Sequence, residues 1–203
     1  MKKVIIFFPL LFIILFLTSP YFHILSFYKA LNNYENEKVE KLIIQNDLEI
    51  GFKKDIELFS DLVKKKLKEK YGIDISWDSF TSIDYIPLQL SNPNGLIYLF
   101  HNSDKFTYNL ANFFTFNKEK SEEIEKEITE LNLQSQIVEN NHGPNIKSLQ
   151  KRIKYIFFRN LSLFELSFIE DGMKIKILFK REKIIKWRIF RIALPIEEIV
   201  NRI

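Results

Sequence analysis

With 203 residues, the chain has room for about one domain on the usual scale of roughly 100–200 residues each. Its 46% hydrophobic and 28% charged content belongs to a folded protein and excludes a disordered one. The absence of cysteine excludes disulfides, a thiol nucleophile, thiolate metal sites and a lipidated Cys, while leaving the compartment open.

The net charge of +4 is unevenly spread. Lys147 to Arg191 holds thirteen basic residues against four acidic, and Asn117 to Asn140 holds three against seven. Twenty Phe against five Gly, and 24 Lys against 6 Arg, match the codon bias of an AT-rich genome and carry no functional signal by themselves.

In chain order, Lys2-Lys3 precedes Val4–Leu17, fourteen residues without a polar side chain. That core alone fits a signal peptide or a membrane span. Two features favour a retained anchor. No formal charge appears from Val4 to Tyr28, 25 positions, more than the roughly 20 a spanning helix needs. The candidate exit Leu17-Thr18-Ser19-Pro20 is also a poor peptidase site, with a large Leu three places before the cut and Pro directly after it. The positive flank predicts a cytoplasmic N-terminus and a domain outside the cytoplasmic (inner) membrane, in the periplasm of a two-membrane cell.

Ser19-Pro20 reads as an N-cap followed by Pro at the first helical position, so a second helix is predicted from there to about Leu31, with a turn at Asn32-Asn33. Glu35–Ile44 predicts a short helix with Val39, Leu42 and Ile43 inward. Asp47 opens the clearest helix: Ile56, Phe59, Val63 and Leu67 form a stripe that Leu58 and Leu62 widen, and Gly72 stops it. Asn92-Pro93 repeats the cap signature before a buried helix over Gly95–Phe100, and Ser121–Leu133 is a charged helix. The loop Asn140–Asn145 is the best internal boundary.

Beyond that loop the period becomes two. Phe164, Leu166 and Phe168 alternate with Glu165, Ser167 and Ile169, and Glu170-Asp171-Gly172 turns the chain. Ile175, Ile177 and Phe179 alternate with Lys174, Lys176, Leu178 and Lys180. Tyr155–Arg159 predicts another strand and Ile184–Ala193 a last one, with Trp187 and Ile189 on one face; Pro195 ends the sheet before a tail helix over Ile196–Ile203.

The expected fold is therefore α+β. A transmembrane anchor covers 1–22 and an extracytoplasmic domain 23–203, whose helical part (23–140) packs on a C-terminal antiparallel β-meander (147–195). Cystatin-like and nuclear-transport-factor-like folds are its analogies.

The order of motifs also resembles a family. An N-terminal membrane segment leads to Ser19-Pro20-Tyr21 and a helix with Tyr28, Ala30 and Leu31; a Pro-x-Gly-Leu helix start follows at Pro93–Leu96; a hairpin closes the chain with Trp187 and Ile192-Ala193-Leu194-Pro195. Across nearly the whole chain this is similar to the bacterial membrane-protein family catalogued as domain of unknown function 2939. The resemblance implies an anchored envelope protein and supplies no catalytic residue.

The sequence carries little recognisable chemistry. His23, His101 and His142 are too scattered for a helical metal pair, and their ordinary roles are interface ring, helix cap and loop residue. No phosphate loop, nucleophile elbow or dinucleotide fingerprint is present, and Glu119–Glu130 lacks the pattern of a calcium loop. The expectation is no catalysis, no cofactor, no metal and no nucleic acid.

Lys174, Lys176 and Lys180 share one predicted strand face, and Lys186 with Arg188 the face of the next. They are either a solvated outer face that discourages edge pairing or contacts for anionic lipid headgroups or an envelope protein. Two functions follow: a non-enzymatic inner-membrane protein with a partner-binding or envelope-support domain, or a domain that binds a small molecule or lipid between sheet and helices. A large apolar cavity lined by several Phe would favour the second, and a filled core with an exposed apolar patch the first.

Overall fold

The computed structural model describes residues 2–72, 85–102, 153–170 and 173–202. Helix α1 (Lys2–Asn32) is followed by α2 (Asn36–Leu42), α3 (Gln45–Tyr71), α4 (Tyr85–Ser91) and α5 (Pro93–His101). Strands β1 (Ile153–Asn160), β2 (Leu163–Glu170), β3 (Met173–Arg181) and β4 (Trp187–Ala193) precede a final helix, α6 (Ile196–Arg202). The strands form one antiparallel sheet in the order β1-β2-β3-β4, a simple meander. The chain is thus α+β, as its periodicity predicts. The charged helix expected over Ser121–Leu133, the loop Asn140–Asn145 and the Asp171-Gly172 part of the second turn lie outside the described residues.

One helix boundary differs from expectation. Ser19-Pro20 does not begin a helix; α1 runs through it for 31 residues, about 46 Å at 1.5 Å per residue. Pro20 has no N–H to give the Phe16 carbonyl. The Ser19 hydroxyl donates to that carbonyl instead, at 2.9 Å, and keeps the helix continuous. Leu11 to Leu15 and Leu17 are exposed, whereas Ser19, Ile24, Phe27, Ala30 and Leu31 are buried in the core. The same helix is apolar on the outside at one end and inside the domain at the other.

Asn32-Asn33 does turn the chain, with Tyr34 as the left-handed residue (φ 58°). Glu35 N donates to Ala30 O and Tyr34 N to Leu31 O, the Schellman pattern that usually carries Gly at this position. Val39 and Ile43 are buried and Leu42 half-buried, as expected. On α3 the stripe of Ile56, Phe59 and Val63 faces inward, but Leu58 is exposed; the stripe widens instead through Leu48, Phe52 and Asp55. Gly72 ends α3 in the left-handed conformation (φ 66°), its N–H on Lys68 O.

Asn92 caps α5 by accepting from Gly95 N at 2.8 Å. A Cβ on Gly95 would lie 1.9 Å from Gln89 O, so only glycine lets α5 fold back this tightly on α4.

The last strand begins at Trp187, three residues later than expected, because Glu182–Lys186 forms the turn, closed by Glu182 N on Lys186 O at 2.9 Å. Within β4, Ile189 pairs with Phe179 but Arg191 with Leu178, leaving Phe190 as an extra, bulged residue. The inner sheet face, led by Phe164, Ile177, Phe179, Trp187, Ile189 and Ile192, is buried in the common core. Helix α3 packs on α4, β4 and α6. Ile44 N donates to Ile189 O at 2.7 Å, so the α2–α3 junction covers part of the β4 edge.

Candidate functional site

Between α1, α5 and the inner sheet face lies a partly open pocket of about 80 Å³. Period 3.6 places Ile24, Phe27, Tyr28 and Leu31 on one stripe of α1, and Leu96, Leu99 and Phe100 on one stripe of α5. Period two brings Leu166 and Phe168 of β2 beside Ile175, Ile177 and Phe179 of β3. Phe27, Phe100, Phe168 and Phe179 all line the space, and Tyr28 meets Phe100 edge to face at 5.5 Å. No lining residue carries a charge. Such walls hold an apolar group by burial, and the Tyr28 hydroxyl is the one polar side-chain group among the lining residues. None of these residues was singled out from sequence as a site. The signal available was the excess of Phe, which composition bias also explains.

His101 stands beside the pocket. Its Nε2 lies 3.0 Å from Leu31 O, its ring stacks on Tyr34 at 4.4 Å, and it meets Phe100 edge-on at 5.0 Å. It caps a helix, as expected, but the carbonyl belongs to α1 and not to its own helix. Burial pushes its pKa below the usual value, outweighing the Leu31 carbonyl, which favours the protonated ring. Well above pH 6.5, the ordinary value of the ring, both folded and unfolded forms are neutral. As pH falls, the unfolded chain takes the proton first, so stability drops until the folded ring also titrates. Thermal unfolding from pH 8 to 5 should show wild type losing more stability than His101→Gln, which keeps an N–H donor. Parallel pH profiles of the two proteins would exclude this role.

Lys174, Lys176 and Lys180 do share the outer face of β3, opposite the buried Ile177 and Phe179. Lys174 Nζ lies 4.9 Å from the centre of the Tyr155 ring. Lys174 and Lys180 are six positions apart on one strand, about 20 Å at 3.3 Å per residue. Lys186 closes the turn rather than joining a strand, and both it and Arg188 pair with Glu182, at 3.0 and 2.8 Å. The hydrogen bond from Arg188, then that from Lys186, holds the Glu182 carboxyl below its usual range. Arg188 also donates to Ile43 O. These five cations therefore divide between the two ends of the sheet.

The outer face is less solvated than alternation predicts. Glu165 and Ser167 are 1% and 0% exposed. Tyr155 OH donates to Glu165 at 3.0 Å, and Arg159 pairs with the same carboxylate. Arg181 was not singled out by sequence, yet its guanidinium stacks 3.6 Å from the Phe16 ring centre and 4.4 Å from that of Trp187. Its Nε and Nη2 are buried without a hydrogen-bond partner among the described residues.

Among the described residues no cluster of three or more His, Asp or Glu could hold a metal, and one helix, α1, is long and apolar enough to cross a membrane or to serve as a signal sequence. Comparison with protein-family models, with curated proteins and with solved structures finds no match for this chain.

Proposed function

We propose that the chain is a single-pass protein of the cytoplasmic membrane whose extracytoplasmic domain holds the end of an acyl chain, without catalysis. The observation that carries this is the pocket's wall, which is apolar but for the Tyr28 hydroxyl and partly built from α1, the helix that would cross the bilayer. At about 80 Å³ the space is roughly half of an engineered cavity that binds benzene, so it suits a chain end and not a whole lipid. Each methylene buried contributes about 0.8 kcal/mol, a grip weak enough for exchange with the membrane. The frame is a helix-covered meander of the cystatin-like or nuclear-transport-factor-like kind, by analogy of element order. Retention of the anchor is supported by Ser19, which is buried and accepts from the Trp187 indole, so that a cut after it would divide a helix that belongs to the domain core.

The test is mass spectrometry of the detergent-extracted full-length chain, with a fluorescent fatty acid as displaceable probe. Wild type should retain its N-terminus and bind the probe. Ile175→Trp and Leu99→Trp, each filling the pocket from a half-buried position, should weaken binding at least tenfold while unfolding at an unchanged temperature. Lipid bound only around α1 would survive both substitutions, and equal probe binding by wild type and both variants would exclude the pocket.

A further inference from the structure

One end of the sheet is built unlike the rest of the surface. The β1–β2 turn and the β3–β4 turn lie side by side there, joined by Arg181 N donating to Ser162 O at 2.9 Å. This end abuts α1 where the helix passes from its exposed apolar part into the core: Arg181 stacks on Phe16, and Trp187 Nε1 donates to Ser19 Oγ at 2.8 Å. Leu161 is 72% exposed, Ile184 58% and Ile185 55%. Single exposed apolar residues are ordinary. Three on adjoining turns, next to an apolar helix, form a patch with a direction.

The charges around it are one-sided. This end of the sheet carries six cations, Arg159, Lys180, Arg181, Lys183, Lys186 and Arg188, against two carboxylates, Glu165 and Glu182. Both carboxylates are already paired, and Lys180, Arg181 and Lys183 have no carboxylate partner among the described residues. Apolar tips ringed by cations are what an anionic bilayer surface accepts: side chains reach the acyl boundary while the cations stay at headgroup depth.

Length fixes where this end must stand. The polar-free run Val4–Leu17 is fourteen residues, about 21 Å of helix, whereas a hydrocarbon core is about 30 Å thick. Burial in the domain starts at Ser19, so the domain cannot be held clear of the membrane by a longer span. A short span is met by thinning the bilayer or by immersing what flanks it, and what flanks it here is the pair of turns.

We propose that the two turns are seated in the outer interface of the same bilayer that α1 crosses, with Leu161, Ile184 and Ile185 at the acyl boundary and Lys180 and Lys183 on lipid phosphates. The seat rests on α1 being a retained span and is independent of any ligand in the pocket.

The chain lacks cysteine, so single labelling sites can be introduced cleanly. Full-length L161C, I184C, K154C and I13C, each carrying an environment-sensitive fluorophore, are reconstituted in nanodiscs of phosphatidylcholine with or without phosphatidylglycerol. Lys154 is exposed at the opposite end of β1, and Ile13 reports α1 itself. Labels at 161 and 184 should emit to the blue of that at 154. Nitroxide lipids should quench them several-fold more strongly than 154, and aqueous iodide more weakly. Quenching at 13 with water-exposed labels at 161 and 184 overturns the seat alone, whereas no quenching at 13 overturns the anchor beneath it. A blue shift at 184 without nitroxide quenching means that protein, such as a second copy, covers the turns, and it also overturns the seat. Adding K180Q and K183Q, both at exposed positions, should abolish the extra quenching at 184 that phosphatidylglycerol brings. If that increment is unchanged, the headgroup contacts are excluded.

Discussion

Replacing Trp187 by Ala is expected to lower the unfolding free energy by about 3–5 kcal/mol, the range for removing a large aromatic from a packed core. The side chain is 0% exposed and packs at about 6 Å, ring centre to ring centre, against Phe158 and Phe164. Helix α1 also holds it twice. Its indole N–H donates to Ser19, and its backbone N–H lies 3.5 Å from His23 Nε2, while His23 Nδ1 donates to Ser19 O at 2.9 Å. Trp187→Phe keeps much of the packing and should cost less, and Ser19→Ala, which strands the buried indole N–H, about 1–3 kcal/mol. Denaturant unfolding of the detergent-solubilised chain orders the three. Equal stability of Trp187→Ala and wild type would show that β4 does not close on α1 in this register.

The second large effect is expected at Asp55. Its carboxylate pairs with Arg191 and accepts from Leu194 N at 3.1 Å, in a setting that leaves the Asp55 side chain 9% exposed. The β4 bulge places Arg191 against α3, where Gly51 makes room: a Cβ there would sit 2.6 Å from Arg191 Nη1. Asp55→Ala leaves a half-buried guanidinium and a backbone N–H without their acceptor, which should cost about 3–5 kcal/mol. Changing Arg191→Met as well should restore much of that loss, since the pair's desolvation disappears with it. A double-mutant cycle from urea unfolding measures the coupling. Additive losses would mean that the two side chains do not depend on each other.

Elements with a strong local period were legible in the sequence: α3, the meander, Gly72 as a helix stop, and the Asn92 cap. What was not legible depends on partners distant in the chain. Ser-Pro is a good helix start, but the same hydroxyl can serve the carbonyl three residues back and let a helix continue. The choice at Ser19 is made together with Trp187. Glu165 alternates as an outward residue should, yet Arg159 and Tyr155 satisfy it in place of water. Lys186 and Arg188 look like free cations until the turn folds Glu182 back onto them. The pocket was foreseen only as a condition, since no period tells which Phe residues leave space between them.

The bond between Ser19 and Trp187 joins positions 168 apart, and β4 is the last strand to be made. Loop closure over such a separation must come before the contacts that reward it, so folding is expected to be slow for a chain of this size. Until β4 is synthesised and docked, Ile24, Phe27 and Leu31 of the first helix have no sheet to cover them. The nascent domain thus carries an uncovered apolar flank throughout synthesis, and whatever shields it in the cell acts before the fold exists.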